Sequence, residues 1–236
     1  MPRSRSTRFK IIASMLLLAC HFSVKACHAD QGDLEALMIR QQSATYGTVT
    51  CFVTNNAFRM DAMGMQIFFT PPYKTIRLYN PQTRTVFAPT IQAFDSRVKW
   101  HQVSEDEKKK GIIEKILAKE KIDILGYKCQ HYMAVHQNAG AKGPATTVGE
   151  FWVTNDIKVP RQMQDACASL TDCPRGFGLP LRLMQYKKQT VGSKRLVLPH
   201  NLLSTSKIEK RKFARTLMDE PTGYRHVRDE IELMLE

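Results

Sequence analysis

Thr48-Val49-Thr50-Cys51-Phe52-Val53-Thr54 sets Val49, Cys51 and Val53 against Thr48, Thr50, Phe52 and Thr54 at strict alternation. A period of two marks an extended strand with one face buried, whereas a helix would repeat every three to four residues. Ile76 and Leu78 alternate in the same way with Thr75, Arg77 and Tyr79. Between and beyond these runs lie Thr54-Asn55-Asn56, Thr70-Pro71-Pro72 and Asn80-Pro81-Gln82-Thr83, whose Asn and Pro residues favour tight turns. From Leu37 to Phe94 the chain therefore reads as a meander of antiparallel strands.

Downstream, Ser104-Glu105-Asp106-Glu107 fits a capping box at a helix start. Ile112, Ile113, Ile116 and Leu117 then repeat at helical spacing, with Lys108, Lys109, Lys110, Lys115 and Lys119 around them, so a helix is expected through this stretch. Strands resume near Ile122–Val135 and Val148–Thr154. Pro160 opens a short helix in which Met163, Cys167 and Leu170 share a face. Leu181–Thr190 and Arg195–Leu198 are strand-like, and Val227, Ile231, Met234 and Leu235 have helical spacing. The fold class is mainly β (α+β), a sheet with a few helices over one face.

The amino end has the order of a secretion signal. Arg3, Arg5, Arg8 and Lys10 precede the apolar run Ile11–Ala19, and Ala26-Cys27-His28-Ala29 suits cleavage before Asp30. Leu17-Leu18-Ala19-Cys20 also fits a lipobox, in which Cys20 would carry a lipid anchor. Cleavage at Ala29 leaves Cys51, Cys129, Cys167 and Cys173, an even set suited to an oxidising compartment. Loss of the leader lowers the formal charge from +13 to +8. A basic exported protein favours anionic partners such as lipid headgroups. No later apolar run approaches the roughly 20 residues of a membrane helix. The expected organisation is a leader at 1–29 and a single domain at 30–236, placed in the periplasm or cell envelope of a bacterium.

Motifs for common catalysis are missing: there is no Gly-x-Ser-x-Gly, no His-Glu-x-x-His and no phosphate loop followed by a helix. Cys129 and His131 share a strand face but have no local third metal ligand. Cys167 and Cys173 lie six residues apart across a turn, and a disulfide closing that loop would contribute roughly 2 kcal/mol; whether Cys51 and Cys129 pair is left open. Met60, Met63 and Met65 near Phe68 and Phe69, and Trp152 between Phe151 and Val153, suit either a core or a compliant lipid pocket. Lys187, Lys188, Lys194, Arg195, Lys207, Lys210, Arg211, Lys212 and Arg215 face one acid, Glu209, between residues 187 and 215. In an exported chain this composition points to an anionic surface and not to nucleic acid.

Four stretches together resemble the LolA/LolB-like lipoprotein-carrier superfamily: Ile76-Arg77-Leu78-Tyr79-Asn80-Pro81-Gln82-Thr83-Arg84-Thr85-Val86, Leu125-Gly126-Tyr127-Lys128-Cys129-Gln130-His131-Tyr132, Glu150-Phe151-Trp152-Val153-Thr154-Asn155-Asp156-Ile157 and Pro221-Thr222-Gly223-Tyr224. The carriers' arginine-proline and arginine-tryptophan signature is replaced by Phe58-Arg59-Met60-Asp61, which aligns the chain with the superfamily's uncharacterised periplasmic and lipoprotein relatives. The resemblance implies a strongly curved antiparallel half-barrel with helices over its concave face. It also implies a non-enzymatic envelope protein, without a cofactor, holding a lipid or lipid-like ligand in an apolar cavity. Met60, Met63, Met65, Phe68, Ile76, Leu78 and Trp152 are the candidate lining. Lys187, Lys188, Lys194, Arg195, Lys210, Arg211 and Lys212 are the candidate anionic-surface contacts. The rival is a protein-docking or sensor module of the same fold, with an unrecognised hydrolase behind it.

Protein purified from the envelope should have an intact mass that begins at Asp30. A diacylglyceryl adduct on Cys20 would instead establish the lipid-anchored form.

Overall fold

The computed structural model describes residues 33–95, 101–139, 145–191 and 194–235. The leader and Cys20 lie outside the described residues, as do the side chains of Lys188, Lys194 and Arg195. In chain order the elements are β1 (Leu34–Ser43), β2 (Gly47–Val53), β3 (Phe58–Ala62), β4 (Met65–Phe69), β5 (Arg77–Asn80), β6 (Thr85–Phe87), α1 (Ile91–Asp95), α2 (Glu105–Lys109), β7 (Ile112–Ile124) and β8 (Tyr127–Asn138). They continue with β9 (Thr146–Thr154), α3 (Arg161–Leu170), β10 (Leu179–Val191), β11 (Lys194–Phe213), a 3-10 turn (Arg215–Met218), β12 (Arg225–His226) and α4 (Glu230–Leu235).

The twelve strands among the described residues form one curved, open sheet in the order β12-β6-β5-β4-β3-β2-β1-β11-β10-β9-β8-β7. Each neighbour pair is antiparallel except β12 with β6. The expected meander is β1 to β6, and its register follows the alternation read in the sequence. Val49, Cys51 and Val53 face Ala62, Met60 and Phe58 across the β2–β3 pair. These side chains share a core with Leu37, Ile39, Ile67, Phe69, Ile76 and Leu78. Helix α3 lies over this concave face and inserts Met163, Ala166, Cys167 and Leu170 into the same core. Its ten residues make a marginal helix in isolation, so packing of this apolar stripe is what holds it.

The opposite face of the meander is covered too. Phe68, Tyr79 and Val86 form a second cluster under Tyr224. The segment after β11 runs across this face: the Leu217 carbonyl accepts from the Arg59 guanidinium at 2.8 Å, and Glu220 accepts from Tyr79 Oη at 2.9 Å and Thr70 Oγ1 at 2.7 Å and pairs with Arg77. Arg59 also pairs with Asp61 at 2.7 Å and lies over the Phe52 and Phe68 rings. The segment then turns around the β6 edge, and Val227 and Leu233 re-enter the main core.

Two elements differ from expectation. The capping box at Ser104 and Glu107 forms, but the helix stops at Lys109 and Ile112–Ile124 is a strand. Gly111 sits at a φ of 75°, a left-handed conformation that ends the helix. Ile112, Glu114 and Ile116 then turn inward while Ile113, Lys115 and Leu117 turn out, a period of two that the isoleucine pairs concealed. At the carboxyl end α4 buries Leu233, whereas Ile231 and Met234 are exposed.

Gly178 enters β10 at a φ of 130°, and a Cβ there would sit 2.8 Å from the Thr154 carbonyl oxygen. Gly178→Ala should destabilise the protein by about 2 kcal/mol, because strain and overlap act on one unyielding backbone. Denaturant unfolding checks this through a lowered midpoint with an unchanged slope.

Candidate functional site

Among the described residues, the expected lining on the concave face of the meander packs into a core and does not border an open acyl-chain cavity. Met60, Met65, Ile76 and Leu78 are all buried there, packed with Phe69, Cys51 and the α3 side chains. The space left between Ile39, Gln41, Cys51, Phe58, Met60 and Cys167 amounts to about 20 Å³, room for roughly one water. Three of the expected lining residues lie elsewhere. Met63 is in the β3–β4 turn and 59% exposed. Phe68 points to the opposite face, because it alternates with Ile67 and Phe69 along β4. Trp152 points away from its neighbours Phe151 and Val153, stacking on His131 at 4.4 Å and under the Arg182 guanidinium at 4.8 Å.

A roomy recess lies at the rim, and strand pairing explains it. β10 pairs with β11 only from Arg182 opposite Ser204 onward, so Lys207 to Phe213 of β11 pair with β1 alone. Gln41 closes the apex of this split, donating to the Pro180 carbonyl at 3.2 Å and to Thr205 Oγ1 at 3.0 Å. Below it the sheet parts, and the chain between β9 and α3 crosses the opening. The result is a groove of about 730 Å³. Leu34, Leu37, Val53, Tyr127, Ile157 and Val159 supply its apolar wall.

The groove's polar side carries Glu35, Asp156, Lys158 and Lys210. Asp156 is occupied by the Lys128 N–H at 3.0 Å, and Lys158 Nζ donates to the Asn155 carbonyl at 2.9 Å. Lys210 and Glu35 approach to 3.9 Å with both side chains largely exposed, a contact that contributes little. Arg211 and Lys212 follow directly in β11, so the rim beside the groove is basic. An apolar wall with ammonium groups at its edge suits an amphiphile with an anionic head.

Of the groove residues, only Lys210 was singled out by charge. Tyr127 and Ile157 lie inside the stretches that carried the family resemblance. Ile157-Lys158-Val159 before Pro160 alternates like a strand end, a signal too short to read alone. The basic residues between 187 and 215 do not make one patch. Lys187 is opposite Leu198, and Lys210 lies twelve residues farther along β11, about 40 Å in an extended strand. Glu209 pairs with Lys207 at 3.0 Å and Arg211 at 2.9 Å.

No group of three or more metal-ligating side chains occurs among the described residues, and no described helix is long and apolar enough to cross a membrane. No family model and no curated protein matches the chain. Among solved structures it is similar to an uncharacterized conserved protein from Thermus thermophilus, at 11% identity over 84% of this chain and 93% of that one, with a TM-score of 0.39. It is similar to the lipoprotein LppX of Mycobacterium tuberculosis at 14% identity, over 75% and 87% of the two chains, with a TM-score of 0.30. A Vibrio parahaemolyticus domain described as an outer membrane lipoprotein-sorting protein gives 9%, 87%, 91% and 0.23. With superpositions this partial, the half-barrel rests on the chain's own strand pairing.

The expected Cys167–Cys173 disulfide is absent, and all four described cysteines are buried free thiols. Cys167 points from α3 into the main core, beside Cys51 in the lining of the small cavity, while Cys173 packs with Ala168 and Phe151 in a separate cluster. The helix turn between them aims the two side chains apart. Burial, with the Asp61 charge behind it, pushes the Cys51 thiol up to about 12, and burial pushes Cys129 up to about 11. Burial also raises Cys167, with Cys51 adding to it, and raises Cys173. A chain starting at Asp30 should therefore show no reactive thiol to Ellman's reagent at pH 8 when native, and four in guanidinium. Two or fewer in guanidinium would restore a disulfide.

Proposed function

We propose that the protein is a non-enzymatic envelope protein that holds an amphiphile with a long apolar chain and an anionic head in the rim groove. The groove's size and two-sided lining carry this reading. A volume near 730 Å³ lies within the usual range for a ligand site, against about 20 Å³ between α3 and the meander strands. In the bound state the apolar chain lies along Leu34, Leu37, Val53, Ile157 and Val159, and the head meets Lys158 and Lys210. Burying ten methylenes contributes about 8 kcal/mol before ordering costs, so affinities no tighter than micromolar are expected. The lysine contribution weakens as salt rises. Export by the leader at 1–29 would put the groove among such amphiphiles.

Titration with a fluorescent fatty acid tests the proposal. The parent chain should bind at micromolar concentration, and Leu34→Arg or Val159→Arg should weaken binding about tenfold or more by placing a charge on the apolar wall. Met63→Arg, on the exposed turn, should leave it unchanged. Circular dichroism melts should be the same for all four proteins. Absence of any probe uptake by the parent, at low and high salt alike, would end this reading in favour of a docking module.

A further inference from the structure

β9 accompanies β10 only as far as Gly149 opposite Gln185, and β1 accompanies β11 only from Ser43 opposite Leu203. Beyond those points Tyr186–Val191 and Lys194–Pro199 pair with each other alone, in register from Tyr186–Pro199 to Val191–Lys194. They form a two-stranded ribbon that continues about 20 Å beyond its last pairing with β9. Pro199, which has no N–H to donate, sits on this unaccompanied stretch. The base is fixed by Tyr186 Oη, which donates to Glu150 Oε1 at 2.9 Å.

The ribbon has an unusual composition for an exposed element. Leu196, Val197 and Leu198 are 41%, 53% and 40% exposed in succession, a run of adjacent large apolar residues found at no other place among the described exposed ones. An isolated ribbon has no core of its own to bury them. Tyr186 to Asn201 also contains Lys187, Lys188, Lys194 and Arg195, and no acid. The register sets Lys187 opposite Leu198 and Lys188 opposite Val197.

We propose that this ribbon is a docking surface for an anionic lipid bilayer. Leu196 and Leu198 share one face of the ribbon with Lys187, and Val197 points to the other. Exposed aliphatic groups on both faces thus flank a basic ribbon, a match to the boundary between acyl chains and charged headgroups, where apolar groups leave water and ammonium groups remain at the phosphates. A nucleic acid would satisfy the charges but offer nothing to three adjacent aliphatic residues. The rim groove is separate, lined from the Lys210 end of β11, so docking does not depend on amphiphile binding there.

The test is vesicle flotation of a chain beginning at Asp30, which retains every described residue and lacks the apolar leader. It should float with phosphatidylglycerol–phosphatidylcholine vesicles, not with pure phosphatidylcholine, and less as salt rises from about 0.05 M to about 0.5 M. Leu196→Ser with Leu198→Ser, and separately Lys187→Glu with Lys188→Glu, should each reduce apparent affinity about tenfold or more. Lys115→Glu with Lys119→Glu and Lys121→Glu on the β7 edge should not. In Val197→Trp the added emission should shift to the blue with anionic vesicles. The proposal is overturned if the β7 variant loses as much as the ribbon variants, if the ribbon variants float like the parent, or if the Val197→Trp emission does not move. It is equally overturned if light scattering shows a dimer that the leucine substitutions dissociate while the parent ignores vesicles.

Discussion

A curved sheet must bury its concave face, and here the ten-residue helix α3 packs onto the meander, with Val227 and Leu233 joining it from the carboxyl end. Met163, Ala166, Cys167 and Leu170 of α3 meet β1 to β5 so closely that little more than a water's volume remains. That contact decides what the rest of the structure can do. With α3 packed onto the meander, the groove of about 730 Å³ lies at the rim, where β10 and β11 part and the loop leading into α3 forms one wall. Gln41, buried and hydrogen-bonded across the split, keeps the upper sheet continuous while the lower part opens.

The meander's other face is covered by the chain that follows β11. Glu220 links Arg77, Tyr79 and Thr70, and Arg59 lies between two phenylalanine rings and the Leu217 carbonyl. These polar contacts are partly buried and mutually satisfied, which fixes the segment's path more than it adds stability. The same segment carries Val227 and Leu233 around the edge to the concave core. The β7 edge is left open, and lysines at 115, 119 and 121 guard it against pairing with another chain.

Strand order in the meander was legible because one-sided alternation survives in Val49, Cys51, Val53, Ile76 and Leu78. Side-chain direction was not legible where both faces are buried. Phe68 between Ile67 and Phe69 gives a continuous apolar run with no phase to read. The segment from Ile112 failed for another reason: paired isoleucines satisfy a helical spacing and a strand spacing equally, and only Gly111 separates them. The groove was nearly invisible. Its walls come from five separate parts of the chain, brought together by a β10–β11 register that ends early. The basic segment was seen, but a twenty-residue strand divides it into two regions far apart.

The central claim is that an amphiphile binds at the rim and not within the sheet. Photocrosslinking with a diazirine-bearing fatty acid, followed by peptide mapping, measures this directly. Adducts are expected on residues 34–37, 53–56, 127 and 156–159. Adducts concentrated on Met60, Met65, Ile76 or Leu78 would contradict it, because they would require the concave core to open around the chain.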